Sequence, residues 1–291
     1  MKKHNKQKSF TLIELMTVIG IIAILAGLML VGYNIFFSEA NIGSSMRFDS
    51  SIHHSLGYAL VGDWKMDDNA ANSTVVDTSG NGNDGTFKSG ASQDNTANHS
   101  VDGANGRALE FDGVDDHVFV KSSNVFDFSQ KNRFTVSAWV NWQGIDSDDD
   151  QIFRNEGPTI SYTPLFYLND GEALRLLARD SLNLNHGMEY DWVPEINQWY
   201  FLAGSWSGST FKLYINSQNV KTGNYDFVVA DGSGPVYLNN ESIDGYLDQI
   251  RLYSDLLSAS QIKQQYYTGL QRLYKKGLIS REEYIKRVVQ R

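Results

Sequence analysis

Cysteine is absent from the 291 residues, which removes disulfide staples, thiolate zinc sites and cysteine nucleophiles from the field. Basic residues are short as well. The 25 Lys and Arg face 34 Asp and Glu, for a net charge of -9, a poor basis for nucleic-acid binding and a fair one for hard cations. Of six histidines, His53 and His54 fall in a linker while His99, His117 and His186 stand apart, so the pattern offers no histidine metal triad. No Walker loop and no dinucleotide fingerprint appears; glycines such as Gly80 and Gly82 read as turn formers. What is present argues for folded structure. Hydrophobic residues make up 41% and charged residues 20%, which excludes global disorder, and the length accommodates one or two domains. A glycine count of 25 with 12% aromatics leans toward a turn-rich β protein.

Charge is unevenly placed. Residues 1–9 hold Lys2, Lys3, Lys6 and Lys8 with no acid, and the last 22 residues carry seven Lys or Arg against Glu282 and Glu283. With +4 and +5 at the ends, the middle of the chain sums to -18. Between Leu15 and Ser38 there is neither charge nor proline. A helix over this run would be about 36 Å long, enough to cross a hydrocarbon core of about 30 Å. The preceding lysines predict a cytoplasmic start and place everything after Glu39 outside. The run exceeds the apolar region of a cleaved secretory signal, usually about 7–15 residues.

A plain anchor does not account for Glu14, because a carboxylate just inside a spanning helix is costly and marks a functional position. The segment KSFTLIELMTVIGI, residues 8–21, resembles the leader and N-terminal helix of type IV prepilins. That resemblance implies cleavage between Ser9 and Phe10 by a prepilin peptidase and N-methylation of the new Phe10 amine. It further implies residence in the inner membrane, then assembly with other pilin subunits through the N-terminal helix. It also supplies a partner for Glu14: the Phe10 amine of a neighbouring subunit, whose charge offsets two desolvation costs. Ser9 stands where the family usually has glycine. The run also lacks a helix-kinking proline, leaving Gly20, Gly27 and Gly32 as the points where the helix would melt.

From about residue 56 the pattern changes to short runs separated by Gly, Asn and Asp. They predict strands at 58–64, 109–111, 117–120, 134–140, 151–154, 165–168, 174–178, 199–206, 211–215, 236–238 and 245–252. The expected fold is mainly β: an antiparallel β-sandwich jelly roll, preceded by the long N-terminal transmembrane helix and followed by a short C-terminal helical hairpin. Trp139 and Trp199, mid-strand among apolar neighbours, are core positions. Ser258 with Gln261 and Ser280 with Glu283 read as capping boxes, the first opening a helix to about Tyr267. The predicted divisions are a basic leader 1–9, a helix and linker 10–55, a jelly roll 56–268 and a basic tail 269–291. The tail either packs on its own sandwich or clamps an acidic neighbouring subunit.

Seven segments in order carry a second resemblance: WKMD at 64–67, DTSGNGNDG at 77–85, GRALEFDG at 106–113, FTVSAW at 134–139, QWY at 198–200, FKLYIN at 211–216 and GYLDQIRLY at 245–253. Together they resemble the laminin-G-like, concanavalin-A-like jelly-roll family over residues 58–268. Catalytic members carry a compact cluster of acids on one strand. The nearest pair here, Glu241 and Asp244, falls in a turn, so the head is expected to be non-catalytic. The resemblance implies a structural calcium held by the Asp248 carboxylate with carbonyls at Asp67 and Gly113, the 77–85 turn contributing further. Asp248 interrupts an apolar strand and needs a partner to offset its burial. Trp142, Tyr190 and Trp192, in predicted loops beside acids, either stack a sugar or cap the sandwich edge. Asp146, Asp148, Asp149 and Asp150 read as a solvated loop or, alternatively, a second cation site.

The expected function is a prepilin-like surface protein, a structural or adhesive subunit of a type IV pilus-like filament whose lectin-like head meets a glycan or surface protein. A secretion pseudopilin and a membrane-tethered carbohydrate-binding module that never polymerises stand as alternatives.

Overall fold

The computed structural model describes residues 12–13, 15–26, 59–145, 148–159, 162–240 and 243–289. The first two stretches are helical (α1), with exposed apolar side chains and the Thr17 hydroxyl donating back to the Ile13 carbonyl at 2.7 Å. Among the described residues no helix is long and apolar enough to cross a membrane. Ser9, Phe10, Glu14, the linker at 39–55 and Asp146 lie outside them.

The alternating runs build two antiparallel sheets. The first contains β1 (Leu60–Trp64), β5 (Ser100–Asp102), β6 (Arg107–Asp112), β8 (Phe134–Trp142), β13 (Trp199–Trp206), β14 (Thr210–Ile215), β15 (Gln218–Asn224) and β17 (Asp244–Tyr253). Its order is β15-β14-β13-β8-β17-β6-β5, with β1 also on β17. The second contains β2 (Thr74–Val75), β3 (Gly85–Ser89), β4 (Ser92–Gln93), β7 (Asp116–Val120), β9 (Asp150–Asn155), β10 (Leu165–Asn169), β11 (Ala173–Arg179), β12 (Asn185–Asp191) and β16 (Val236–Leu238). Its order is β12-β11-β10-β9-β16-β7-β3-β2, with β4 on β3. A short helix, α2 (Thr96–His99), precedes β5.

Inward-facing side chains of the two sheets form one core. Trp64, Phe111, Val136, Trp142, Leu213 and Leu247 from the first sheet meet Phe87, Val118, Phe153, Phe166 and Leu174 from the second. A second core lies on the other face of the first sheet, under α3 (Ala259–Lys275) and α4 (Arg281–Val289). There Trp139, Phe201 and Tyr253 pack with Ile262, Tyr266, Leu270, Leu273 and Tyr284. Covered on both faces, β8 and β13 are buried along their whole length, which is why they read as near-continuous apolar runs. The outer face of the second sheet carries neither helix.

The C-terminal segment departs from its expected form. The Ser258–Gln261 box is there, with Ser258 N donating to Gln261 Oε1 at 2.7 Å, but α3 runs past Tyr267 to Lys275. It passes through the expected 268/269 boundary because Gly269 is where the helix backbone touches the sheet: a Cβ there would lie 2.5 Å from Cε2 of Trp139. The helix ends in a Schellman turn. Gly277 (φ 73°) donates to the Tyr274 carbonyl at 3.0 Å, and Leu278 N to the Leu273 carbonyl at 2.9 Å. Ser280 then caps α4, accepting from Glu283 N at 3.1 Å. The buried Arg287 donates to the Trp199 carbonyl at 2.7 Å and to Glu283 at 2.6 Å. Arg287 thus fastens the tail to its own sandwich.

Candidate functional site

β17 changes its edge partner in mid-strand. Residues 244–247 pair with β6 and 250–253 with β1; between them Gln249 takes φ 51° and the register against β8 slips. At this changeover Asp248, still opposite Trp139 of β8, turns its carboxylate to the 103–106 turn. Its side chain is fully buried. Oδ2 accepts from Asn105 N at 2.7 Å, while Oδ1 has no partner, and the buried Oδ1 of Asn105 has none either. Burial drives the Asp248 carboxyl well above the usual range, against the Asn105 hydrogen bond. The Asp67 charge adds to the rise, and Lys276 and Arg251 oppose it.

Asp67 follows β1 and accepts from Arg107 N at 2.6 Å. Gly106, with φ 94°, brings the turn against it so closely that a Cβ would overlap the Asp67 carboxylate. The Lys276 ammonium donates to the carbonyls of Gly103, at 3.0 Å, and Gly106. Two carboxylates, an amide oxygen and two carbonyls thus belong to or bond the 103–107 turn, an all-oxygen set of the kind hard cations take.

Gly113 is not part of it. Its turn packs on Asp244, four residues before Asp248 and roughly 13 Å away along an extended strand. In the 77–85 turn Asp77 accepts from Asp63 N, Ser79 N and Asn83 N within 3.0 Å, which locks the turn onto β1, and Asp84 accepts from Asp77 N at 2.8 Å. Around Gly113 the structure gathers Asp112, Asp115 and Asp116, with ligand oxygens within 4.8 Å of one another. This is the one such grouping among the described residues, and the motif DGVDD was its visible signal. Asp116 is buried with Oδ1 unpartnered; burial, then the Asp112 charge, raises its carboxyl, with His99 opposing.

The aromatic candidates divide. Trp142 is not in a loop but ends β8, fully buried, with its indole N–H donating to Asp150 at 2.7 Å. Tyr190 lies in β12, partly buried against the core. Trp192 stands edge-on to Tyr200 at 4.9 Å and to Trp142 at 6.1 Å, and it lines an open cleft of about 620 Å³ with Asn169, Glu172, Arg175, Glu189 and Asp191. Arg175 is oriented there by Glu189 at 2.6 Å and Asn169 at 2.6 Å.

Residues 111–263 match the family described as the concanavalin A-like lectin/glucanases superfamily. The chain belongs to this superfamily. At its other end, residues 4–30 match the prokaryotic N-terminal methylation motif, which points to a type IV pilin-like protein, membrane-anchored or surface-exposed. No curated protein matches the chain. Solved structures share the superfamily fold. Domain 4 of AbnA, a GH43 extracellular arabinanase from Geobacillus stearothermophilus solved with arabinotriose, is 23% identical over 70% of this chain and 97% of that one, with a TM-score of 0.53. The binding domain of Paraclostridial Mosquitocidal Protein 1 is 17% identical over 72% of this chain, TM-score 0.56. The ligand binding domain of botulinum neurotoxin serotype D, solved with N-acetylneuraminic acid, is 16% identical over 75%, TM-score 0.55. The chain spans about half the length of these two toxin domains, 52% of each. At such identities the likeness is one of fold.

Proposed function

We propose that this chain is a type IV pilin-like subunit displaying a non-catalytic, glycan-binding jelly-roll head. The observation that carries the reading is the presence on one chain of the methylation motif at 4–30 and the lectin-superfamily fold at 111–263. Prepilin peptidase would cut between Ser9 and Phe10 in the inner membrane. In the filament, the methylated Phe10 amine would pair with Glu14 of a neighbouring subunit. The head's binding surface would be the face left open by the helices. There Phe119 and Tyr237 meet edge to face at 5.6 Å, Lys88 lies 4.7 Å over the Phe119 ring, and the Trp192 cleft adds Arg175 and Asn169. Aromatic rings offer surfaces for sugar C–H faces, while fixed charged and amide groups bond the hydroxyls. Trp142 and Tyr190 would support Trp192 from beneath.

Mass spectrometry of sheared surface material tests the assembly half: a peptide beginning at N-methyl-Phe10 in filaments is expected. Intact Lys2–Lys3 ends confined to membranes would overturn polymerisation and favour the tethered carbohydrate-binding module. Titration with arabinotriose and N-acetylneuraminic acid tests the head, binding being lost in Tyr237→Ala or Trp192→Ala. Binding untouched by both variants would move the ligand off this face.

The reading includes a structural calcium beside Asp248. Asp248 Oδ1, Asn105 Oδ1, the Gly103 and Gly106 carbonyls and Asp67 would hold it, and its charge would offset that of the buried carboxylate. Calcium titration of wild type and Asp248→Ala checks this. Binding that survives Asp248→Ala would remove the site.

A further inference from the structure

Lys276 is the C-cap residue of α3, and its ammonium reaches the 103–106 turn. It donates to the Gly103 carbonyl at 3.0 Å and to the Gly106 carbonyl, the two backbone oxygens of the donor set just described. Within the same turn Asn105 N donates to Asp248 Oδ2, and Oδ1 of each of these two residues has no partner. The ammonium is delivered by the backbone. Leu270 and Leu273, both fully buried, seat the last turns of α3 on the first sheet, and the Gly277 turn ends the helix directly after Lys276. Three of the site's elements therefore come from positions 67, 103–106 and 248, and a fourth, positively charged, from 276.

We propose that Lys276 is the resident cation of this donor set: a tethered ammonium that holds the carbonyls of Gly103 and Gly106 while no metal is bound, and that competes with calcium for them. The inference rests on the calcium reading above and deepens it. A divalent ion on the same oxygens would lie beside a like charge, so its entry requires the lysine side chain to swing out. Much of Lys276 is already exposed, so the displaced ammonium regains water. Calcium uptake then releases a polar tie between the end of α3 and the 103–106 turn, while the apolar seat of Leu270 and Leu273 stays. Calcium occupancy is in this way transmitted to the link between α3 and α4.

The test uses the full chain purified in detergent. Lys276→Met keeps the aliphatic stem and removes the charge; Lys276→Arg keeps the charge. Calcium affinity is measured by calorimetry, and melting is followed in calcium and in chelator. Lys276→Met should bind calcium about tenfold more tightly than wild type, as one competing charge-assisted contact is removed. Its melting temperature should fall below wild type in chelator and be restored by calcium, and Lys276→Arg should track wild type. Equal affinity in wild type and Lys276→Met overturns the competition and leaves the calcium site standing. Absence of binding to both overturns the calcium reading and the competition with it. Should Lys276→Met not fold, Lys276→Gln is read by the same criteria. Tight binding that persists when Asp248→Asn is added to Lys276→Met puts the metal elsewhere and also overturns the proposal.

Discussion

Replacing a helical glycine with alanine ordinarily stabilises a helix by up to about 1 kcal/mol. At Gly269 the sign should reverse. A Cβ there would lie 2.5 Å from Cε2 and 2.7 Å from Nε1 of Trp139. The indole has nowhere to go: it is 1% exposed, stacked on Tyr266 at 5.8 Å and tilted against Phe201 at 5.5 Å. The helix cannot lift without unseating Leu270 and Leu273. Overpacking costs about 1–3 kcal/mol, and contacts this close belong at the upper end, so the clash outweighs the propensity gain by roughly 2 kcal/mol. For a domain of this size, the melting temperature should fall by roughly 4–8 °C. Thermal and urea unfolding followed by circular dichroism would measure the change, with the urea slope unaltered. Trp139→Phe in the same background should restore part of the loss, a coupling readable from the double-mutant cycle. If Gly269→Ala is as stable as wild type or more so, α3 is not seated on Trp139, and the first sheet is not closed by the chain's own tail.

Asp63 links stability to pH. Burial alone would raise its carboxyl, but the Arg251 charge and hydrogen bonds from Thr78 and Arg251 hold it below its ordinary 3.8. A depressed carboxyl contributes stability that is complete above the ordinary value and lost as pH falls through the folded one. The urea midpoints of wild type and Asp63→Asn should therefore differ near neutrality and converge below about pH 4; a gap constant with pH would rule this out. Residues 59–291 expressed alone should be β-rich and monomeric, because the apolar α1 is removed. Strong helical dichroism or concentration-dependent mass in sedimentation would contradict that. Glu14→Ala should reach the membrane at normal level yet yield fewer filaments, and unchanged filaments would remove the pairing role.

Burial decided what was legible in the sequence. β8 and β13 stood out because both of their faces are covered, whereas β15 shows almost nothing: its seven residues are mostly exposed, and backbone bonding to β14 defines it. Polar β12 escaped for the same reason. Trp142 read as a loop residue beside acids, past the strand predicted to end at 140, yet its ring turns inward with Asp150 answering the N–H. The helix was expected to run only to about Tyr267, and the position of Trp139 explains the glycine at 269 in mid-helix. Within the candidate site, Asp248 was legible as a carboxylate in an apolar strand. Asn105 and Lys276 carried no such signal, since folding brings them together with their partners from 143 and 170 positions away in the chain.

The place of β17 has a consequence for how the head comes into being. This strand hydrogen-bonds β1, β6 and β8, so the middle of the first sheet is built on the strand that arrives last. β1 must wait for a partner nearly two hundred residues downstream, with Leu60 opposite Tyr253. Pairing at such separation carries a heavy loop-closure cost and makes folding slow. For a chain that emerges amino end first, β1, β6 and β8 stand with open edges until residue 253 is out, and open edges invite association with other chains. The head cannot lock in stages: any arrest before β17 leaves a sticky half-sheet, and its appearance closes three strands at once.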